Sequence, residues 1–243
     1  RLMNAFGYSV HGFASAFRHE DAFRQEVLLG AVLIPVALVL DVGGIGRSFL
    51  AYVPQHLSDP VPVLLVLHGS AGSAERMRSA TAWAFEQRAD REGAVVVYPE
   101  GFEGHWNDCR KEGDFAAKRL GVDDVSFLRA VVARLSGDPA LGARQIAAEE
   151  VFAAGLSNGG HMALRLALEA PDFVAGVAAI AASLPVESNS ECTPSGKAVP
   201  VLLLNGDADP ISPYEGGEIW SLGSFNRRGA VQSAVATAGY FSR

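Results

Sequence analysis

The sequence predicts an α/β fold built on a mostly parallel sheet, and three observations carry that expectation. From residue 42 onward, short apolar segments alternate with stretches of helical periodicity. The apolar segments are continuous rather than alternating polar with apolar, as befits strands covered on both faces. Each ends in Gly, Pro or His-Gly, which stop a strand and open a loop. The 243 residues, 49% hydrophobic and 19% charged, suit one such domain plus an appendage.

The appendage comes first. Phe6, Val10, Phe13 and Phe17 recur at three- and four-residue intervals with polar residues between, which predicts an amphipathic helix. Two readings stay open for it, a helix lying on a membrane and a helix packed on the globular body. Val27 to Leu40 is an uncharged, almost wholly apolar run of fourteen residues, VLLGAVLIPVALVL. As a helix it rises about 21 Å. A bilayer core is about 30 Å thick, so a buried helix or a signal-type apolar stretch fits the length better than a span. The expected architecture is therefore an amphipathic helix, an apolar helix, and then the sheet domain. Arg1 in place of Met points to a start removed by processing or truncation.

Within the sheet domain the expected strands are Arg47 to Val53, Val63 to Leu67, Ala94 to Tyr98, Val151 to Ala154, Val174 to Ala181 and Val201 to Leu204. Helices are expected over about Ser73 to Arg91, Asp123 to Leu135, Asn158 to Leu168, Glu215 to Leu222 and Arg227 to Phe241. Asp123 and Asp124 read as helix N-capping residues rather than metal ligands. In an open parallel sheet, sites form beyond the carboxyl ends of the strands, so the residues just after each strand carry the functional reading.

After Val151 to Ala154 the text is Gly155-Leu156-Ser157-Asn158-Gly159-Gly160, then a good helix. This is G-x-S-x-G between a strand and a helix, the setting of a nucleophile elbow. The glycines permit a tight reversal, and Ser157 stands at a helix N-terminus where developing negative charge is favoured. After Val63 to Leu67 comes His68-Gly69-Ser70-Ala71-Gly72. With Ser157 as nucleophile, Ser70 and Asn158 are the expected backbone N–H donors of an oxyanion hole. After Val201 to Leu204, Asp207 and Asp209 are both placed to orient an imidazole.

The base is harder to find. None of the six histidines, His11, His19, His56, His68, His105 and His161, lies downstream of Asp209. His161 sits one helical turn beyond Ser157 and is expected to point away from the elbow. His68 reads as a structural hydrogen-bonding residue. With 20 Lys+Arg against 27 Asp+Glu the net charge is −7, which argues against nucleic-acid binding. Cys109 and Cys192 are too few for a zinc cluster, and they suffice for one disulfide if the protein is exported. No metal or other cofactor is expected.

Several segments resemble the polyhydroxybutyrate depolymerase-like and feruloyl-esterase-like α/β-hydrolases. They are Phe49 to Pro54, Val66 to Gly69, Tyr98 to Gly101, Trp106 to Asp108, Val122 to Leu128, Gly155 to Gly160 and Asn205 to Gly217. The resemblance implies an α/β-hydrolase fold over residues 42–243 and an exported or envelope enzyme. Its substrate would be a small or polymeric carboxylic ester: a hydroxyalkanoate oligomer, a feruloyl ester or a short acyl ester. It also implies Ser157 as nucleophile, Asp209 rather than Asp207 as triad acid, and Trp106 and Asn107 on the substrate pocket. Many relatives carry His where Asn205 stands. Their triad His lies in a G-H-x-W-P-like segment that is not found here, so the expectation is a domain lacking its C-terminal end and impaired in turnover.

Residues 1–41 resemble instead the small prokaryotic diacylglycerol kinase, an integral membrane enzyme. The matching text is Phe6 to Ser9, Gly12, Ala22 to Glu26 and the apolar run to Asp41. That implies inner-membrane association and a fusion of two families. Glu26 matches a metal-binding glutamate of the kinases, but the rest of that site is not present. The alternatives to an ester hydrolase are a kinase fragment and a catalytically inactive hydrolase fold.

Overall fold

The computed structural model describes residues 38–220 and 227–242. The expected helices around Phe6 to Phe17 and along Val27 to Val36 lie outside the described residues. Within the described residues, no helix is long and apolar enough to cross a membrane. The chain divides between Val36 and Ala37, and every described element belongs to the second unit. Residues 38–41, expected to close the helical segment, are instead part of a strand. Leu38–Val42 (β1) turns through Gly43-Gly44 and pairs antiparallel with Ile45–Tyr52 (β2). The β-branched residues and the double glycine favour a hairpin here over continued helix.

The remaining strands of the main sheet are Val61–Leu67 (β3), Val95–Pro99 (β4), Ile146–Leu156 (β5), Gly176–Ile180 (β6) and Val201–Leu204 (β7). Their order is β1-β2-β4-β3-β5-β6-β7. β2 meets β4 antiparallel, and β4, β3, β5, β6 and β7 run parallel, as the continuous apolar segments predict.

Alternate residues of these strands face two separate layers. Val61, Val63, Leu65 and Leu67 join Val95, Val97, Val151 and Ala153 against Asp124–Leu135 (α4) and Asn158–Glu169 (α5). Val66, Val96 and Tyr98 face Ala74–Ala80 (α1) and Ala84–Glu92 (α2) on the other side. That second layer stops short: Phe152, Leu202 and Leu204 are exposed at 41%, 59% and 57%.

The single helix expected over Ser73 to Arg91 is two. Ser73 caps α1 with its Oγ, and Ala82 and Trp83 take positive φ, which ends one helix before the next begins. A short helix, Ala116–Arg119 (α3), precedes α4, where Asp123 is the N-cap and accepts from Ser126 N. Asp124 does something else, forming a buried 2.7 Å ion pair with Arg47 of β2.

The largest departure comes near the end. The expected helix over Glu215 to Leu222 is instead the strand Gly217–Trp220 (β8), and the first part of the expected helix over Arg227 to Phe241 is the strand Arg227–Val231 (β9). The two pair antiparallel. Gly216 and Gly217, at φ of 80° and 116°, stop a helix from forming there. Only then does Ser233 cap the last helix, Ala234–Phe241 (α6).

Candidate active site

β5 delivers the chain to Ser157, and α5 carries it away. Ser157 adopts φ 53° and ψ −114°, a strained conformation for a residue with a side chain. Its amide donates to Ile180 O of β6, which pins the turn to the neighbouring strand. A Cβ on Gly155 would collide with the backbone of Gly159, and one on Gly159 would collide with Leu67 O, so this reversal admits only glycine at either side of Leu156 to Asn158. The loop after β3 lies against the elbow: a Cβ on Gly69 would stand 3.6 Å from Ser157 Cβ. Ser157 and Ser70 line one cavity of about 320 Å3, shared with Arg110, His161, Ser212 and Arg228.

Asn158 is the bolt of the site. Its Oδ1 accepts from Trp106 N at 2.8 Å, and its Nδ2 donates to Trp106 O at 3.0 Å and to Asp108 Oδ2 at 2.7 Å. With the side chain so engaged, its orientation is fixed by the loop after β4. Asp108, fully buried, binds Arg110 bidentately at 3.0 and 2.5 Å. Burial alone would raise the Asp108 pKa, but the Arg110 charge and its two bonds outweigh it and hold the carboxyl well below the usual range. The same loop is tied to the residues after β6 by the Cys109–Cys192 disulfide.

Trp106 and Asn107, expected on a substrate pocket, do not line the cavity beside Ser157. Trp106 is fully buried, its Nε1 donating to His68 O and its ring 5.1 Å from the His68 ring. Asn107 spends its Nδ2 on Val122 O and its backbone N–H on Asp124. Both are used internally, to hold the loops after β3 and β4 together. His68 is structural as expected. Its Nε2 accepts from Gly101 N, so the proton sits on Nδ1 and is directed at Gly69 O, and burial lowers its pKa.

Asp209 lies after β7 in a half-buried turn, and Asp207 is exposed. Asp209 Oδ1 accepts from Ile211 N and Ser212 N at 2.8 and 2.9 Å. Among the described residues no histidine hydrogen-bonds to it. Asn205 donates to Ala182 O.

Three wall residues escaped the sequence reading. His161, expected to point away, lines the cavity; its Nδ1 is buried without a partner and burial, followed by the Arg110 charge, pushes its pKa down to about 3. Arg110 and Arg228 arrive from loops and strands far away in sequence. Arg228 Nη1 donates to Ser70 Oγ at 2.5 Å across 158 positions. No local pattern announces such a contact.

The elbow, the strand order and the parallel pairing together decide the architecture. The described residues form an α/β-hydrolase fold. A solved structure described as "Crystal Structure of pOPH Native" superimposes on this hydrolase fold with a TM-score of 0.61 at 19% identity, covering 84% of this chain and 75% of that one. Residues 129–221, which include Ser157 and Asp209, match the phospholipase/carboxylesterase family model. Over 156 residues the chain is 42% identical to "Putative esterase NocK" of Nocardia uniformis subsp. tsuyamanensis, covering 64% of this chain and 42% of that relative. Residues 7–54 match the prokaryotic diacylglycerol kinase model. The kinase of Pseudomonas aeruginosa is 57% identical over 53 residues, 22% of this chain and 43% of that protein. The kinase match therefore overlaps β1 and β2, which pair within the hydrolase sheet. The chain spans less than half the length of either relative.

Proposed function

We propose that this protein hydrolyses carboxylic esters through an acyl-enzyme on Ser157. The observation that carries the reading is the strained Ser157 turn, opening on a cavity beside the Ser70 loop and at the N-terminus of α5. Ser157 Oγ attacks the ester carbonyl as its proton passes to solvent or to an imidazole, the backbone N–H groups of Asn158 and Ser70 receive the oxyanion, the C–O bond breaks to release the protonated alcohol, and water then hydrolyses the acyl-enzyme. Asp209 is placed after β7, where a triad acid orients an imidazole. A cavity of about 320 Å3 is small for a binding site and favours a short acyl group over a feruloyl or polymeric one. The esterase relative supports the same chemistry. The disulfide supports an exported setting, and the kinase-like segment supports membrane association through residues 1–41. A kinase activity is not proposed, because the match covers 43% of that relative.

The test compares p-nitrophenyl butyrate turnover and fluorophosphonate labelling of this chain with those of Ser157→Ala. The described histidines offer Asp209 no imidazole, so turnover is expected to be orders of magnitude below that of a complete triad, yet above that of Ser157→Ala. Once the protein-free imidazole reaction is subtracted, added imidazole is expected to accelerate only the chain that retains Ser157. Equal rates for the two chains, with no labelling and no response to imidazole, overturn the reading.

A further inference from the structure

The cavity beside Ser157 has an unusual charge balance. The chain as a whole is acidic, at net −7. Two guanidinium groups nevertheless line this cavity, and among the described residues no Asp or Glu does. Arg110 is neutralised by Asp108 behind the wall. Arg228 has no ion pair among the described residues: its contacts there are the Ser70 hydroxyl and the ring of Phe115, 5.5 Å from the guanidinium carbon, and the Asp108 charge reaches it only from a distance. No described carboxylate lies within ion-pair distance of it. Burial lowers the Arg228 pKa and the like charge of Arg110 adds to it, with the more distant Asp108 carboxylate opposing both. Among the described residues one N–H of its fork is spent on Ser70 and no other is bonded, which leaves donors for a ligand.

The two outer N–H edges of a guanidinium fork match the two oxygens of a carboxylate, and a guanidinium–carboxylate pair is strengthened by partial burial.

We propose that this cavity selects esters whose acyl part ends in a carboxylate, the half-esters of short dicarboxylic acids, with Arg228 holding the free carboxylate while the ester carbonyl faces Ser157. The proposal rests on the ester-hydrolase reading of the same site. β9 carries Arg228 and is fastened independently of any ligand: Asn189 Nδ2 donates to Ala230 O, Gln232 N donates to Leu184 O, and Gly229 packs directly on the Asn189 side chain. The anion site is thus built into the fold before substrate arrives, which lowers the ordering cost of binding.

The test is a binding measurement that needs no turnover. Monomethyl glutarate and dimethyl glutarate are titrated into the 15N-labelled chain, with the Arg228 Nε–H and the Ser70 amide followed by NMR. The half-ester is expected to bind at least tenfold more tightly than the diester, with the preference shrinking severalfold in 0.5 M NaCl. Arg228→Gln is expected to weaken the half-ester at least tenfold and the diester no more than twofold, with Arg228→Lys intermediate. Equal affinity for the two esters in the unmodified chain overturns the proposal, and that comparison stands even if Arg228→Gln fails to fold. So does a folded Arg228→Gln chain that keeps the preference. Repeating the titration with Ser157→Ala separates the two claims. Retained half-ester preference without any Ser157-dependent hydrolysis sinks the esterase reading and leaves the anion site standing; hydrolysis without preference does the reverse.

Discussion

The loop from Trp106 to Arg110 and the loop from Asn205 to Pro210 both leave carboxyl ends of strands in the same sheet, and they are held in opposite ways. The first is buried throughout. It is bonded to Asn158 three times, braced by the Asp108–Arg110 pair and tied to Cys192. The second is largely exposed, and its Asp209 carboxylate is held by the amides of its own turn. The Ser157 side of the site is therefore fixed by long-range polar contacts in the interior. The Asp209 side is a local turn, its carboxylate held by amides two and three residues further along the chain. Preorganisation is concentrated where the oxyanion would form, as electrostatic stabilisation of a transition state demands.

Breaking the first loop should show the larger effects. Asp108→Ala leaves the Arg110 charge buried and unpaired and removes one partner of Asn158. It is expected to cost about 4 kcal/mol in urea denaturation, with labelling of Ser157 lost alongside. A smaller effect should appear with mild acid, between pH 7 and 5. His161 titrates near 3 when folded and near 6.5 when unfolded, so the unfolded chain takes up the proton first. The stability tied to the neutral ring is complete above pH 6.5 and is lost as the pH falls from there toward 3, at up to about 1.4 kcal/mol per pH unit. His161→Phe should flatten urea midpoints measured between pH 7 and 5, with the residual slope owed in part to the lowered pKa values of His68 and His105. The smallest change belongs to the second loop. Asp209→Ala removes an acceptor from two local amides and should cost about 0.5–1 kcal/mol; a loss above 2 kcal/mol would show that this turn is anchored as deeply as the other.

The same contrast explains how much of the molecule was legible in the sequence. The parallel sheet, the elbow at Ser157, the cap at Asp123 and the placement of Asp209 after a strand all follow from local signals: continuous apolar runs, glycines where the chain reverses, carboxylates at a helix start or in a turn. The β8–β9 hairpin was hidden because Glu215 to Leu222 has the spacing of a helix, and only pairing with β9 and the backbone of Gly216-Gly217 decides otherwise. Trp106 and Asn107 carried a family signature that says nothing of direction, and their polar groups turn inward to neighbouring loops. Arg228 belongs to the cavity only because tertiary packing brings it to Ser70.

The backbone at Ser157 has a last consequence. At φ 53° and ψ −114° a side chain costs about 1–3 kcal/mol that glycine would not. Ser157→Gly should thus melt at a higher temperature than the parent while being inert toward fluorophosphonate. Selection for durability alone would erase this serine. Every copy of the chain that keeps it gives up some thermal tolerance for one hydroxyl, and the melting-temperature gain of the glycine variant measures how much.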